Sequence, residues 1–203
     1  MTIGWTRGVI RATTGPAVPR TVLKFGGSLL VRRTWRDELR SLVADCVGPT
    51  TIVVGGGPLV DGLRAIDAAS PRPADVMHRL AIDAMGVTGR LVADAAALPL
   101  ALDPADAAGA VVLDVAAWLS QVGRYDDLPV GWHVTSDSIA AVVATAAGAA
   151  LVLAKSVPPP EPSGSLTALA KVGWVDDHFP VAAADLERIE WAVPPGIIPT
   201  SSR

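Results

Sequence analysis

TVLKFGGS at residues 21–28 and TTIVVGGGP at residues 50–58 decide the fold. Thr21 to Phe25 reads as a short strand that ends at Gly26-Gly27-Ser28. Thr50 to Val54 reads as a second strand that runs straight into Gly55-Gly56-Gly57-Pro58. Between them Thr34 is a fair helix N-cap, with Asp37 and Glu38 in the first turn. Leu39, Leu42, Val43 and Val47 follow at helical spacing, and Gly48-Pro49 stops the helix. Strand, glycine turn, helix, strand, glycine turn is the opening of an alternating α/β chain.

Working outward, a helix is predicted from about Leu59 to Ala68, with Leu63 and Ile66 facing inward. After a turn at Ser70 to Pro73, a long helix should run from Ala74 to about Ala96. Val76, Leu80, Met85 and Leu91 are among its apolar positions, and Gly86 and Gly89 mark close packing. Val111 to Leu113 is a strand and Gly123 to Gly131 a polar loop. Thr135 or Ser136 caps a further helix, Ala150 to Ala154 is another strand, and Val157 to Gly164 is a Pro-rich loop. A last helix is predicted over Val181 to Trp191. This alternation implies a three-layer αβα sandwich with a mainly parallel central sheet. Residues 1–20 read as a flexible N-terminal extension and residues 21–203 as a single domain.

The bulk composition agrees with that reading. A chain of 203 residues, half of them hydrophobic and 18% charged, can bury a full core. A net charge of −3 gives no basic footprint for nucleic acid. Cys46 is the single cysteine, which excludes an internal disulfide framework and suits a reducing cytoplasm. The uncharged run from Ser138 to Ala154 is shorter than the ~20 residues of a membrane span. It reads as a buried helix turning into a buried strand. The expected partner is a small molecule, with no nucleic acid and no membrane, and the expected assembly is a homo-oligomer.

Lysine occurs only at 24, 155 and 171, in a chain that otherwise uses arginine for positive charge. A lysine kept against that bias suits a place where a compact ammonium is needed and a planar fork is not. Lys24, at a strand end and ahead of two glycines, has this character. Backbone N–H groups can approach an anion there without Cβ interference, and the ammonium can neutralise a phosphoryl group in flight. For a lone Gly-Gly a plain strand-to-helix turn is the better explanation. Three glycines before a helix say more, because a tight turn needs only one or two. Gly55, Gly56 and Gly57 form a natural phosphate cradle at a helix N-terminus. Thr135-Ser136-Asp137-Ser138 is by itself an ordinary helix cap. Beside two glycine turns, Asp137 could instead orient a lysine or the magnesium of a nucleotide. Neither G-x-x-x-x-G-K-[ST] nor G-x-G-x-x-G occurs.

These three motifs, in this order and spacing, resemble the amino acid kinase family: an opening K-x-G-G-S, a G-G-G turn about thirty residues later, and a T/S-D helix start. Within it the likeness is closest to the archaeal kinases of aminomethyl-furanmethanol phosphate in methanofuran biosynthesis. That likeness rests on Arg64 to Asp67 (R-x-I-D), His78 to Ile82 (H-R-L-A-I), the W-x-V-T-S-D-S run around Thr135, and Val175 to Pro180 (V-D-D-x-F-P). It covers roughly Val22 to Ile189. The resemblance implies ATP and Mg²⁺ as cofactors and phosphorylation of a furan-methanol phosphate to its diphosphate, with no protein-held metal site. It implies that Lys24 stabilises the transferring phosphoryl group and that Asp137 organises the catalytic lysine. Gly26, Gly27, Ser28, Ser136 and Lys155 would bind the nucleotide. Gly55, Gly56, Gly57, Arg64, His78 and Asp83 would line the acceptor pocket. Two features depart from the family pattern. The usual D-x-D-G nucleotide loop is replaced by Lys155-Ser156-Val157 and a proline run. No lysine stands in Val181 to Ile189, which leaves Lys171 as the substitute for a second, late catalytic lysine.

Overall fold

The computed structural model describes residues 4–13, 18–121, 128–160 and 165–196. In chain order these form β1 (Thr6–Ala12), β2 (Thr21–Phe25), α1 (Trp35–Ala44), β3 (Thr50–Val54), α2 (Pro58–Ala69) and α3 (Ala74–Ala96). Then come β4 (Leu100–Ala101), β5 (Ala110–Leu113), α4 (Val115–Leu119), α5 (Ser136–Ala147), β6 (Ala150–Ala154), α6 (Leu166–Lys171), α7 (Phe179–Ala182) and β7 (Arg188–Val193). Among the described residues the strands make one seven-stranded sheet in the order β1-β7-β6-β2-β3-β5-β4. Every pairing is parallel except that of β1 with β7. The expected α/β sandwich with a mainly parallel sheet is the observed architecture.

All five residues of β2, of β3 and of β6 are buried, as a parallel sheet covered on both faces requires. Alternation along β2 divides the core. Val22 joins the apolar cluster shared with α4, α5 and α7, whereas Leu23 and Phe25 join the cluster shared with α1 and the end of α3. Lys24 shares the parity of Val22, so its side chain leaves the sheet on the face covered by α5. Gly86 and Gly89 do mark close packing: a Cβ on Gly86 would lie 3.0 Å from Ala116 Cβ, and one on Gly89 would lie 3.4 Å from the Leu113 carbonyl. The uncharged run divides into α5 and β6 as expected, and no described helix is long and apolar enough to cross a membrane.

Five expectations change. The segment read as a loose extension contains β1, whose Thr6 to Ala12 pair with Val193 to Arg188. Its residues are half-buried or exposed without a strict alternation, a weak pattern that needs a partner strand to become legible. Residues 1–3 and 14–17 of that segment lie outside the described residues. The last helix is instead the short α7 followed by strand β7. Ile189 and Ala192 are fully buried there between β6 and β1, and pairing on both edges overrides a helical-looking sequence. On α2 no residue is buried and Ile66 is largely exposed, so Ile66 is not an inward position. Val76, Leu80 and Leu91 on α3 are exposed too, and the buried line runs instead through Met77, Ile82, Met85 and Val92. Thr34 is the N-cap position of α1, but its hydroxyl donates to Glu38 Oε1 at 2.8 Å instead of capping the backbone. Residues 123–127 and 161–164 of the two predicted loops lie outside the described residues.

Candidate active site

A cleft of about 350 Å³ opens at the carboxyl ends of β2, β3 and β6, where ligands gather in open α/β sheets. Beneath it Asp137, in the first turn of α5, is buried. Its Oδ1 lies 2.9 Å from Lys24 Nζ and its Oδ2 lies 2.7 Å from Lys155 Nζ. Burial alone would raise the Asp137 pKa. The two ammonium groups outweigh it and hold the carboxyl below the usual carboxylate range. Burial pushes the Lys155 ammonium down and Lys24 adds repulsion, while Asp137 opposes both. Lys155 Nζ also donates to the Trp174 carbonyl and stands 4.8 Å from the centre of the Trp174 ring. One carboxylate thus holds two cations, and the surplus positive charge faces the cleft.

The strands deliver these groups by register. Lys24 lies across from Leu153 on β6, and Lys155 follows the last residue of that strand. Lys155 had been assigned to the nucleotide, yet it meets Asp137 as directly as Lys24 does. Lys171, the expected substitute for a late lysine, ends α6 in an exposed position and does not line the cleft. Lys155, at the sheet's carboxyl edge, is the lysine that lines the cleft together with Lys24 among the described residues.

Two glycine turns press together on the cleft floor. A Cβ on Gly27 would fall 2.1 Å from Gly57 N and 2.7 Å from the Gly55 carbonyl, so no larger residue fits. Gly57 has φ +53°, a region that favours glycine. It occupies the N-cap of α2 without any side-chain cap, and Pro58 follows at the first helical position. The first-turn N–H groups of α2 are therefore left for an external anion. The N-terminus of α5 is not, because Asp176 already occupies it. Its carboxylate accepts from Thr135 N at 2.9 Å, Thr135 Oγ1 at 2.7 Å, Ser138 N at 3.0 Å and the Ser138 hydroxyl. It also accepts from His178 N at 3.1 Å and Phe179 N at 3.0 Å, which ties α7 to α5. Sequence reasoning noticed Val175 to Pro180 only as a likeness. An aspartate directly ahead of a Pro-containing helix start was the available signal for this cap.

Gly26, Gly27, Ser28, Ser136 and Lys155 line the cleft, and Ser28 Oγ donates to Ser156 Oγ at 3.4 Å. Gly55, Gly56, Gly57, Arg64 and His78 line it as well. Here the Arg64 guanidinium lies 5.1 Å from the centre of the Trp132 ring, and Trp132 Nε1 donates to Asp67 Oδ2 at 2.7 Å. Trp132 enters the sequence reading only as the first residue of the W-x-V-T-S-D-S likeness, because nothing local ties it to Arg64. His78 is buried, with Nδ1 3.3 Å from the Gly131 carbonyl and, among the described residues, no partner for Nε2. Burial lowers its pKa, so the ring is neutral at neutral pH. Asp83 does not belong to the site: it is exposed and absent from the cleft wall. Five residues beyond His78 on a helix, it points about 140° away.

Gly27→Ala is the sharpest test of this floor. Its Cβ would meet backbone, not a side chain that can swing aside, so the two turns must part. Loss of the thermal stabilisation given by ATP is expected, equivalent to at least about tenfold weaker binding. Gly56→Val should also lose it, through Val60, whose Cγ2 would lie 2.2 Å from the new Cβ. A folded Gly27→Ala protein still stabilised by ATP would show that the turns hold no phosphate.

A buried carboxylate bridging two lysines and a pair of closely packed glycine turns thus meet at one cleft, at the carboxyl edge of a parallel sheet. The sequence profile of the amino acid kinase family matches residues 19–159, well over half the chain, and the protein belongs to that family. It is thus a kinase-type phosphotransferase. No curated protein sequence matches it. The crystal structure of uridylate kinase from Archaeoglobus fulgidus is similar in fold, with a TM-score of 0.56 at 19% identity. The match covers 87% of this chain and 90% of that one.

Proposed function

We propose that the protein is an ATP-dependent small-molecule kinase whose acceptor already carries a phosphate. The observation that carries this reading is the pair of ammonium groups held on Asp137 at the same cleft as the two glycine turns. ATP's phosphates would lie over Gly26, Gly27, Ser28 and Ser136, and the acceptor phosphate over Gly55 to Gly57 at the open N-terminus of α2. An acceptor oxygen attacks the γ-phosphorus as the bond to the β-phosphate oxygen breaks, and ADP leaves with that electron pair. Lys24 and Lys155 neutralise the charge on the transferring group.

The donor set also speaks to acceptor chemistry. Both oxygens of Asp137 are engaged by lysines, and the carboxylate on the cleft wall is Asp61, exposed in the first turn of α2. A phosphate oxygen is already an anionic nucleophile and needs no base, whereas an alcohol would. No group of three or more His, Cys, Asp or Glu among the described residues could hold a metal ion. In this reading Mg²⁺ would come as a companion of the ATP phosphates and neutralise their charge.

The acceptor of this reading is aminomethyl-furanmethanol phosphate, converted to its diphosphate for a methanofuran-type one-carbon cofactor. Its support is the likeness at residues 64–67, 78–82, 132–138 and 175–180, and a pocket whose Trp132 face, Arg64 and His78 suit a small flat phosphate ester. A cytoplasmic setting suits Cys46, whose thiol burial pushes up to about 11. A mass-spectrometric product assay with Mg²⁺-ATP tests the acceptor, over the furan phosphate, its unphosphorylated alcohol, UMP, aspartate, acetylglutamate and carbamate. ADP and the furanmethanol diphosphate are expected. Turnover of UMP, aspartate, acetylglutamate or carbamate alone would overturn the acceptor and leave the kinase reading intact. ATP binding without turnover of any compound would favour a nucleotide-binding member without catalysis.

A further inference from the structure

Helix α2 carries part of the cleft wall, yet none of its residues is buried. A helix held so lightly depends on polar contacts to fix its place against the facing wall. Arg64 and Asp67 stand three residues apart, about 60° around the helix, so they share a face. That face meets Trp132, in the segment ahead of α5. The Arg64 guanidinium lies 5.1 Å from the centre of the Trp132 ring, and the indole Nε1–H donates to Asp67 Oδ2 at 2.7 Å.

Arg64 and Trp132 line the cleft, whereas Asp67 does not. Both oxygens of Asp67 are nevertheless in use. Oδ1 accepts from Arg72 N at 2.9 Å, where the chain leaves α2, and Oδ2 takes the indole. The indole bond first, and the Arg72 bond second, hold its carboxyl below the usual carboxylate range, so this acceptor is charged at neutral pH. The backbone that delivers Trp132 is fixed from a third element. Gly131 has φ +144°, a value that favours glycine, and its carbonyl lies 3.3 Å from His78 Nδ1 on α3. The indole is therefore held at its root and at its tip. Among the described residues Arg64 makes no ion pair, so the indole face is what sets its head group. Stacking uses the plane of a guanidinium and leaves its N–H edge free for an anion.

We propose that Asp67 is a positioning residue for the phosphate acceptor: it orients the Trp132 ring, and the ring places the Arg64 guanidinium toward the ligand. This role rests on the acceptor pocket of the kinase reading and adds a residue that meets no ligand atom itself.

Asp67→Ala, Asp67→Asn, Trp132→Phe and the Asp67→Ala/Trp132→Phe double variant of the full chain decide it. Calorimetric titration measures binding of Mg²⁺-ATP. It also measures binding of aminomethyl-furanmethanol phosphate and of inorganic phosphate, with ADP present to occupy the nucleotide site. Asp67→Ala should weaken the furan phosphate about tenfold while ATP stays within about twofold, a split that a general loss of structure would not give. Asp67→Asn keeps an oxygen for the indole N–H and should stay within about threefold of wild type. Trp132→Phe keeps a ring without the N–H. The double variant should bind no more weakly than the weaker single variant, because Asp67 acts through that N–H. Acrylamide quenching follows the ring without any ligand. The Trp132 signal, taken as the difference from the matching Trp132→Phe protein, should become more accessible in Asp67→Ala. Equal losses of ATP and acceptor, additive losses in the double variant, or an unchanged Trp132 signal overturn the role of Asp67. A wild type that binds inorganic phosphate but not the furan phosphate overturns the acceptor instead. Asp67 is then judged on inorganic phosphate, and equal binding by wild type and Asp67→Ala overturns it. A wild type that binds neither phosphate overturns both.

Discussion

Asp137→Asn is expected to fold but to lose about 3–5 kcal/mol of stability at pH 7, together with its turnover. The amide keeps the shape of the side chain and removes the charge that Lys24 and Lys155 share. Two ammonium groups would then be held close together in the protein, each without its counter-ion. The pH dependence makes the expectation specific. In the wild type, burial already lowers the Lys155 pKa and Asp137 works against that fall. Without the carboxylate the folded-state value must drop further, while the unfolded value stays near about 10.4. Between the two, the unfolded chain binds more protons than the folded one, so stability rises with pH. The deficit of the variant should therefore shrink from pH 7 toward pH 10. On the acid side the sign reverses. The wild-type carboxyl is depressed, so its contribution is complete above about pH 3.9 and is lost as pH falls toward the folded value. Urea denaturation of both proteins between pH 3 and pH 10 measures this. A variant as stable as wild type at pH 7, or one that gains nothing at pH 10, would remove Asp137 from the centre of the charge balance.

Much of this centre was legible in the sequence because its signals are local. A strand, two or three glycines and a helix start within ten residues, and neighbouring positions suffice to announce a phosphate cradle. Lys24 and Asp137 were found in the same way. The double use of Asp137 was not, because it depends on β2 and β6 being adjacent strands in register, which no stretch of sequence states. Lys155 therefore read as a nucleotide ligand and Lys171 as the second lysine. Asp83 was a different kind of miss, since the helical angle from His78 was available and already placed it on the far side of α3.

The fold divides along the same line. Strands buried on both faces, such as TTIVV, carry their own identity, because any other conformation would leave continuous apolar runs in water. β1 and β7 do not. Neither is buried throughout, each has the composition of a loop or helix end, and each becomes a strand only by pairing, β1 with β7 and β7 with both β1 and β6. Asp176 belongs with them: its six contacts reach two helices that only the folded chain brings together.

Lys24→Ala should separate chemistry from folding. Asp137 would keep Lys155 as its partner at 2.7 Å, so no buried charge is left bare and the loss of stability should be well below that of Asp137→Asn. Turnover should nevertheless fall by about 10²-fold or more, the usual effect of removing a donor aimed at charge that develops in the transition state. ATP should still stabilise the variant against heat, because Gly26, Gly27 and the N-terminus of α2 are untouched. Lys24→Arg should fail almost as completely. The ammonium sits 8% exposed beside Gly26, whose added Cβ would already come within 3.7 Å of Nζ. A guanidinium is broader and planar, and cannot meet Asp137 and a phosphoryl group from the same point. Steady-state kinetics with thermal shifts for both variants decide the matter. A near-normal kcat in either one would mean that the ammonium of Lys24 does not meet the phosphoryl group, and that Lys155 carries that charge alone.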